Sequence, residues 1–437
     1  MKKRLLSVAA TAFLGVLMHA QQIKFEEYKL PNGLHVILHQ DNSAPVVTTG
    51  VMYHVGAKDE AVGRTGMAHF FEHLLFEGTN NIKRGEWMKI VSSNGGANNA
   101  NTTNDRTYYY ETFPSNNEQL GLWMEAERMR NALINQIGVD TQREVVKEEK
   151  RLRMDNQPYG NLFTEVQKNL FTKHPYNWST IGSMEDLNAA KLSEFQDFYK
   201  KFYVPNNAVL VVAGDIQPAQ TKKWINEYYG GIPKGTLTPK KFAQDTPITV
   251  AKEVTAYDKN IQLPAYVFAY RTPANTHRDA YILDMVSSYL SNGKSSVLYR
   301  KLVDEEKKAL QVSAFNQGLE DAGIFAFFAI PMGATTKATL QNDIDAEIKK
   351  LQTTLISQED YQKLQNQFEN SFVNSNSTVE GIAHSLANNY MLMKDTNLIN
   401  KELDIYRSIT RQDLQNAAKK YLNSNQRVII NYLPEKK

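Results

Sequence analysis

Residues 66–78 read G-M-A-H-F-F-E-H-L-L-F-E-G. The apolar spacing predicts a helix over 66–76, with Thr65 as its N-cap and Gly78 just past its end. His69 and His73 stand at i and i+4, so both imidazoles leave one helix face, and Glu72 lies beside them. Two neutral imidazoles one turn apart suit zinc, and an adjacent carboxylate can take a proton from a metal-activated water. One helix face cannot surround a tetrahedral ion, so a third ligand has to come from elsewhere. The competing reading is a chance pair of surface histidines. Phe70, Phe71, Leu74, Leu75 and Phe76 argue against it, because they wrap the helix in apolar surface and bury it. Two histidines and a glutamate in a buried helix need partners, and a metal supplies them.

The third ligand is sought on the next glutamate-rich helix, read here as Gln142–Met154. At about 100° per residue, Val145, Val146 and Leu152 define an apolar stripe. Glu149 falls in the middle of that stripe, Glu148 at its edge and Glu144 further round. A carboxylate in the middle of an inward face is costly unless paired or metal-bound. Glu149 is therefore the first candidate and Glu148 the second, with a buried Glu–Arg pair as the alternative. Glu77 is the remaining local candidate, on the same helix as the histidines. Of the other histidines, His54 is placed to line the site. His35 and His39 alternate on one strand and read as surface. His174 reads as a loop or ligand-supporting residue, and His277 and His384 have no companion at ligand spacing.

Working outward, Phe25–Leu30, Leu34–Leu38, Val46–Val55 and Ala208–Ala213 read as strands. Glu118–Asn131 and Leu192–Phe202 read as helices. Residues 231–250 lose periodicity and carry Pro and Gly, which marks a linker. The same order of elements then restarts, with Ala265–Tyr270, His277–Leu290, Gly323–Ile330 and a final strand Arg427–Tyr432. This is an α+β chain of two homologous α/β-roll domains, each an antiparallel sheet flanked by helices. The expected divisions are 1–20 signal peptide, 21–232 metal-binding domain, 233–250 linker and 251–437 non-catalytic counterpart.

The 437 residues carry 50 Lys plus Arg and 47 Asp plus Glu, and Lys2, Lys3 and Arg4 account for the whole excess. Without its first 20 residues the chain is neutral, which gives it no broad electrostatic attraction to nucleic acid. It has no Cys, so disulfides, thiol nucleophiles and Cys–metal sites are excluded. The K-K-R start, the apolar run Leu5–Met18 and the small Ala20 form a secretory signal, too short to span a bilayer. The mature protein is expected in the periplasm or outside the cell, with no membrane span.

Residues 95–110, G-G-A-N-N-A-N-T-T-N-D-R-T-Y-Y-Y, run small and amide side chains into a Tyr-rich strand. Such an edge can add an extended peptide through backbone hydrogen bonds. Taken together, the chain resembles the pitrilysin/insulinase family of zinc peptidases, which includes the mitochondrial processing peptidases. The resemblance rests on H-F-F-E-H at 69–73, Glu149 at 76 residues beyond His73, and N-A at 99–100. It rests further on H-P-Y at 174–176, Gly182, Y-V-P-N-N at 203–207, V-V-A-G-D at 211–215 and S-N-G-K-S-S-V-L-Y at 291–299. It implies one Zn²⁺ per chain held by His69, His73 and Glu149, Glu72 as the base, and Asn99 and Ala100 on the substrate-binding strand. One position departs from the pattern. Seven residues before the third ligand the family commonly has a supporting Glu, and Gln142 stands here.

The resemblance also implies that this chain is one half of a clamshell, closed by a second, homologous half. The closing half typically brings an Arg and a Tyr to the substrate backbone. Here Val303 stands in place of the Arg and no Tyr follows at the expected place. The expected assembly is a hetero-dimer with a homologue lacking the metal motif, or else a homodimer, acting on peptides. The alternative function is a non-catalytic assembly or binding subunit. Such subunits usually lose part of the H-x-x-E-H set, which is whole here.

Overall fold

The structure is a computed structural model describing residues 22–435, so the signal-peptide reading falls outside the described residues. The first sheet contains β1 (Glu26–Lys29), β2 (His35–Gln40), β3 (Val46–Tyr53), β4 (Ala97–Thr102), β5 (Thr107–Pro114) and β6 (Ala208–Gly214), in the order β1-β2-β6-β3-β5-β4. The second contains β7 (Lys252–Asp258), β8 (Ala265–Thr272), β9 (Ala309–Gly318), β10 (Gly323–Pro331) and β11 (Val428–Pro434), in the order β7-β11-β8-β10-β9.

Without β1 the two orders superimpose strand for strand. Each sheet is antiparallel except for one pair, β2–β6 in the first and β7–β11 in the second. In each, the helical segment that follows the third-position strand leads back to an edge strand, β4 or β9. The duplication expected from the element order is thus a duplication of topology, with one parallel pair per sheet.

One face of each sheet packs on its own helices. Val47, Val51, Leu210 and Val212 meet Phe70, Leu74, Leu122 and Phe195 in the first core. Phe268, Phe325 and Phe327 meet Leu283, Val286, Leu340 and Leu414 in the second. The opposite faces are covered by exchange. Helix Val379–Asn388, from the second half, lays Ile382, Ala383, Leu386 and Ala387 on Ile37, Met52, Val209 and Val211. Helix Leu162–Leu170, from the first half, lays Val166 and Leu170 on Val267, Ala269, Ile324 and Ile430. This is why β6, A-V-L-V-V-A-G, is apolar throughout and buried at every residue: a strand covered on both faces reads as a continuous apolar run. At about 1.5–3 kcal/mol per buried large aliphatic side chain, the exchange ties the halves together strongly.

The fold also corrects the reading of His35 and His39 as surface residues. His35 stacks on Tyr390 with ring centroids 3.5 Å apart, and His39 is buried with Nδ1 2.6 Å from the Lys24 carbonyl oxygen. Residues 230–251 contain no strand or helix, yet they form a strap held to the first half. Lys240 pairs with Asp59 at 2.7 Å, and Asp245 accepts from the backbone N–H groups of Thr172, Lys173 and His174. Among the described residues no helix is long and apolar enough to cross a membrane.

Candidate metal centre

Helix α1 spans Met67–Leu74. Its N-cap is Gly66 in the left-handed region at φ +87°, not Thr65, whose hydroxyl donates to Asp186. The cap is supplied from outside the helix: the buried Glu60 carboxylate accepts from the N–H of Gly66 at 2.9 Å and of Ala68 at 2.8 Å. A carboxylate there satisfies two free donors and faces the positive helix end. Gly66 crosses Gly182 so closely that a Cβ on Gly66 would lie 2.4 Å from the Ile181 carbonyl oxygen. That crossing brings Thr180 and Ile181 into the cleft beside the histidines. At the other end of α1 the fully buried Arg128 donates to the Leu75 carbonyl at 2.9 Å. It is itself held by Glu111 and Glu125 and stacked against Trp87 and Tyr109. Both ends of a two-turn helix are therefore fixed by buried charge.

The glutamate-bearing helix begins at Gln136, six residues earlier than expected, because Asn135 caps it by accepting from the Gly138 N–H. It spans Gln136–Lys150 and continues as a wider π turn over Arg151–Asp155. Its buried face is Val139, Val146 and Lys150, whereas Val145 and Leu152 are 45% and 57% exposed. Glu149 thus sits at the edge of the inward face, not in its middle, and it faces α1.

His69, His73 and Glu149 converge. Glu149 Oε2 lies 3.1 Å from His73 Nε2 and 3.6 Å from His69 Nε2. A tetrahedral site with bonds of ~2.0–2.1 Å has ligand atoms ~3.3 Å apart, and both separations from Glu149 lie close to that value. Their potential ligand atoms lie within 4.8 Å of one another, the one such group among the described residues. Burial, and then the neighbouring His73, push His69 below its ordinary value, which favours the neutral imidazole that a metal needs. A hydrogen bond from His73 holds Glu149 down despite its burial, and Arg153 reaches its second oxygen at 2.8 Å. Glu148, the second candidate, points to solvent and pairs with Arg151 at 2.9 Å. Glu77 lies beyond the end of α1, outside the triad, and accepts from Arg84 and Gln142.

Glu72 stands beside the triad with its Oε2 accepting from the Thr102 hydroxyl at 2.6 Å. Burial raises its carboxyl above the usual range, and the Thr102 bond partly offsets that. The cleft in front of it has a volume of about 730 Å³. One wall is β4, including Asn99 and Ala100, an edge strand that among the described residues pairs only with β5. Gln317, on β9 of the second half, completes the rim. His54 does not line this cleft: its Nε2 lies 2.7 Å from Glu320, in a separate cavity. His174 caps a short turn and lies 3.4 Å from Asp321, also away from the triad.

Two family models cover most of this architecture. One described as insulinase (peptidase family M16) matches residues 35–183, and one described as the peptidase M16 inactive domain matches residues 189–368. A Helicobacter pylori protein named zinc protease PqqE is 30% identical over 435 residues, 98% of each chain. The chain belongs to peptidase family M16. A crystal structure of a protease from Helicobacter pylori superimposes with a TM-score of 0.88, at 29% identity, over 94% of this chain and 99% of that one. The Escherichia coli periplasmic protease PqqL matches with a TM-score of 0.74 at 19% identity, over 94% of this chain but 47% of that one. This M16 chain therefore has the fold of one half of that longer protein. A probable mitochondrial-processing peptidase subunit beta of Arabidopsis thaliana is 22% identical over 356 residues, 79% of this chain and 66% of that protein.

Gln142, the departure from the family pattern, donates to Glu77 and does not touch the triad. A glutamate there would face a second carboxylate, and like charges raise each other's pKa. The charged pair is disfavoured in the fold, so its cost is felt above the carboxylate pKa values and relieved as pH falls and one of them takes a proton. Gln142→Glu is expected to melt several degrees below the wild type at pH 8, with the gap narrowing at pH 5. Thermal melts at the two pH values check this.

Proposed function

We propose that this M16 chain is an exported zinc endopeptidase, with residues 21–232 as its metal-binding domain and 251–437 as its homologous non-catalytic domain. The observation that carries the reading is the convergence of His69, His73 and Glu149 beside Glu72, opposite a free strand edge. His69 and His73 would hold Zn²⁺ through Nε2 and Glu149 through Oε2. The ion supplies Lewis acidity toward a water and a scissile carbonyl. β4 aligns the peptide as an added strand, with Asn99 and Ala100 at the docking edge. Thr102 occupies Glu72 Oε2, which leaves Oε1 to take the proton from the attacking water and return it to the leaving amine.

The match to about half of PqqL supports a second, homologous chain closing the cleft. Because Val303 replaces the expected Arg, a hetero-dimer with a metal-free homologue is favoured over a homodimer. The N-terminal signal pattern, and the periplasmic setting named for PqqL, support export to the periplasm. Purified chain should carry one zinc and cleave unfolded peptides, faster with such a homologue added. Chelation should stop cleavage and zinc should restore it. Zinc-loaded protein that cleaves no peptide, alone or with the homologue, would point to a non-catalytic subunit.

A further inference from the structure

The turn joining β4 to β5, residues 103–106, carries two buried charges, Asp105 at 2% and Arg106 at 7% exposure. Neither lines the cleft, and both are gripped by the second half. The Asp105 carboxylate accepts from the Tyr176 hydroxyl at 2.6 Å and from the backbone N–H of Glu320 at 3.0 Å, and Lys58 Nζ lies 2.9 Å away. Glu320 and Asp321 form the turn between β9 and β10, and both side chains reach Lys58 at 2.7 Å.

Arg106 has no carboxylate within ion-pair distance among the described residues. Its Nη1 donates to the Asn101 backbone oxygen at 3.3 Å and to the Asn101 side chain, and its Nη2 meets His384 Nε2 at 3.2 Å. His384 lies on the exchanged helix Val379–Asn388. Burial, and then the Arg106 charge, lower its imidazole to about 4. It is therefore neutral near pH 7, and with its proton on Nδ1 it offers Nε2 as an acceptor. A buried guanidinium without a carboxylate is costly, and packing alone would not require one. What it does hold is Asn101, next to Thr102 and its bond to Glu72.

We propose that the second half sets the geometry of the peptide-binding edge: the Glu320 turn and His384 hold Asp105 and Arg106 in the turn after β4, and Arg106, as a positioning residue, fixes Asn101 beside Thr102 on β4. The inference rests on the reading of β4 as the strand that takes the substrate. It gives the second half, part of which is matched by a model described as inactive, an indirect part in substrate binding, exerted through β4. It also accounts for His384, which has no ligand companion in the sequence but an acceptor's role in the fold.

The test measures binding of a fluorescein-labelled unfolded peptide to the full chain in a Glu72→Gln background, alongside zinc content. His384→Leu removes the acceptor and His384→Gln supplies a carbonyl in its place. The Leu variant is expected to bind about tenfold more weakly and the Gln variant within about twofold of the parent, the scale of one hydrogen bond to a charged group. Zinc content should be equal in all three. Arg106→Lys, which keeps the charge but cannot bridge Asn101 and His384, should also bind about tenfold more weakly. Parent-like affinity in both His384→Leu and Arg106→Lys, or equal loss in His384→Leu and His384→Gln, overturns the proposal. If the wild type cleaves peptides while these affinities do not move, the peptidase reading stands and this inference falls. If the affinities split as expected but the wild type cleaves nothing, the reverse holds.

Discussion

Glu72→Gln is expected to keep its zinc and its fold and to lose about 10²–10⁴ of its peptide turnover, the usual worth of a general base. The amide is isosteric and can still accept the Thr102 hydroxyl that now meets Oε2. Position is therefore kept and only basicity is removed. Glu72 is also not one of the three converging groups, so metal content has no reason to fall. The raised carboxyl reinforces the argument. Burial disfavours the charge on Glu72, which brings its pKa closer to the working pH and makes it a better proton acceptor and donor in turn. Single-turnover cleavage of a labelled peptide, with zinc measured on the same sample, checks this. Wild-type turnover in the variant would mean that another group takes the proton.

The histidine pair was legible because a helix imposes its own geometry: i and i+4 share a face whatever the rest of the chain does. Duplication was legible for a similar reason, since element order survives where residue identity has drifted. The environment of the partner helix was not. Val145 and Leu152 look like a core stripe in the sequence, and the wheel that placed Glu149 at its centre used them as its reference. Both are exposed, and the helix is anchored by Val139 and Val146 instead. Glu149 reaches the histidines from the edge of the buried face.

The exchange of helices had no local signal at all. It is written in residues 162–170 and 379–388, each amphipathic in an ordinary way, and only the assembled sheets show which faces they cover. His35 read as surface for that reason, His39 because nothing local shows that the Lys24 segment covers it, and His54 as a site residue because nothing local shows that it meets Glu320 of the second half. Thr102 and Arg106 lay inside the quoted Gly/Asn-rich stretch, but nothing in that stretch says that the threonine ending β4 meets the Glu72 carboxylate. Gln317 enters the cleft from the other half, so no spacing within one unit could have found it.

Glu149→Ala is expected to lose its zinc, whereas Glu148→Ala keeps one ion per chain and near-normal activity. The two carboxylates are neighbours on one helix and differ by a rotation of about 100°. That rotation decides everything electrostatic about them. Glu148 is half-exposed and paired with Arg151, and a surface pair of this kind is worth at most ~1 kcal/mol. Glu149 sits within 3.1 and 3.6 Å of the two imidazoles. Its removal leaves only two neutral ligands, and a dication bound by two imidazoles in a half-buried cleft has no anion to offset its loss of hydration. Loss of a group merely supporting a ligand typically costs 10–100-fold in affinity, so loss of the anionic ligand itself should exceed about 10²-fold. Binding and folding are separable here, because Glu149 lies at the edge of its helix's buried face while Val139 and Val146 fill the core. The Glu149→Ala protein should therefore melt close to the metal-free wild type and gain little stability when zinc is added, in contrast to the wild type. Metal analysis of both variants, with melts taken with and without zinc, reads the two carboxylates apart. Full zinc occupancy in Glu149→Ala with loss in Glu148→Ala would reverse the assignment.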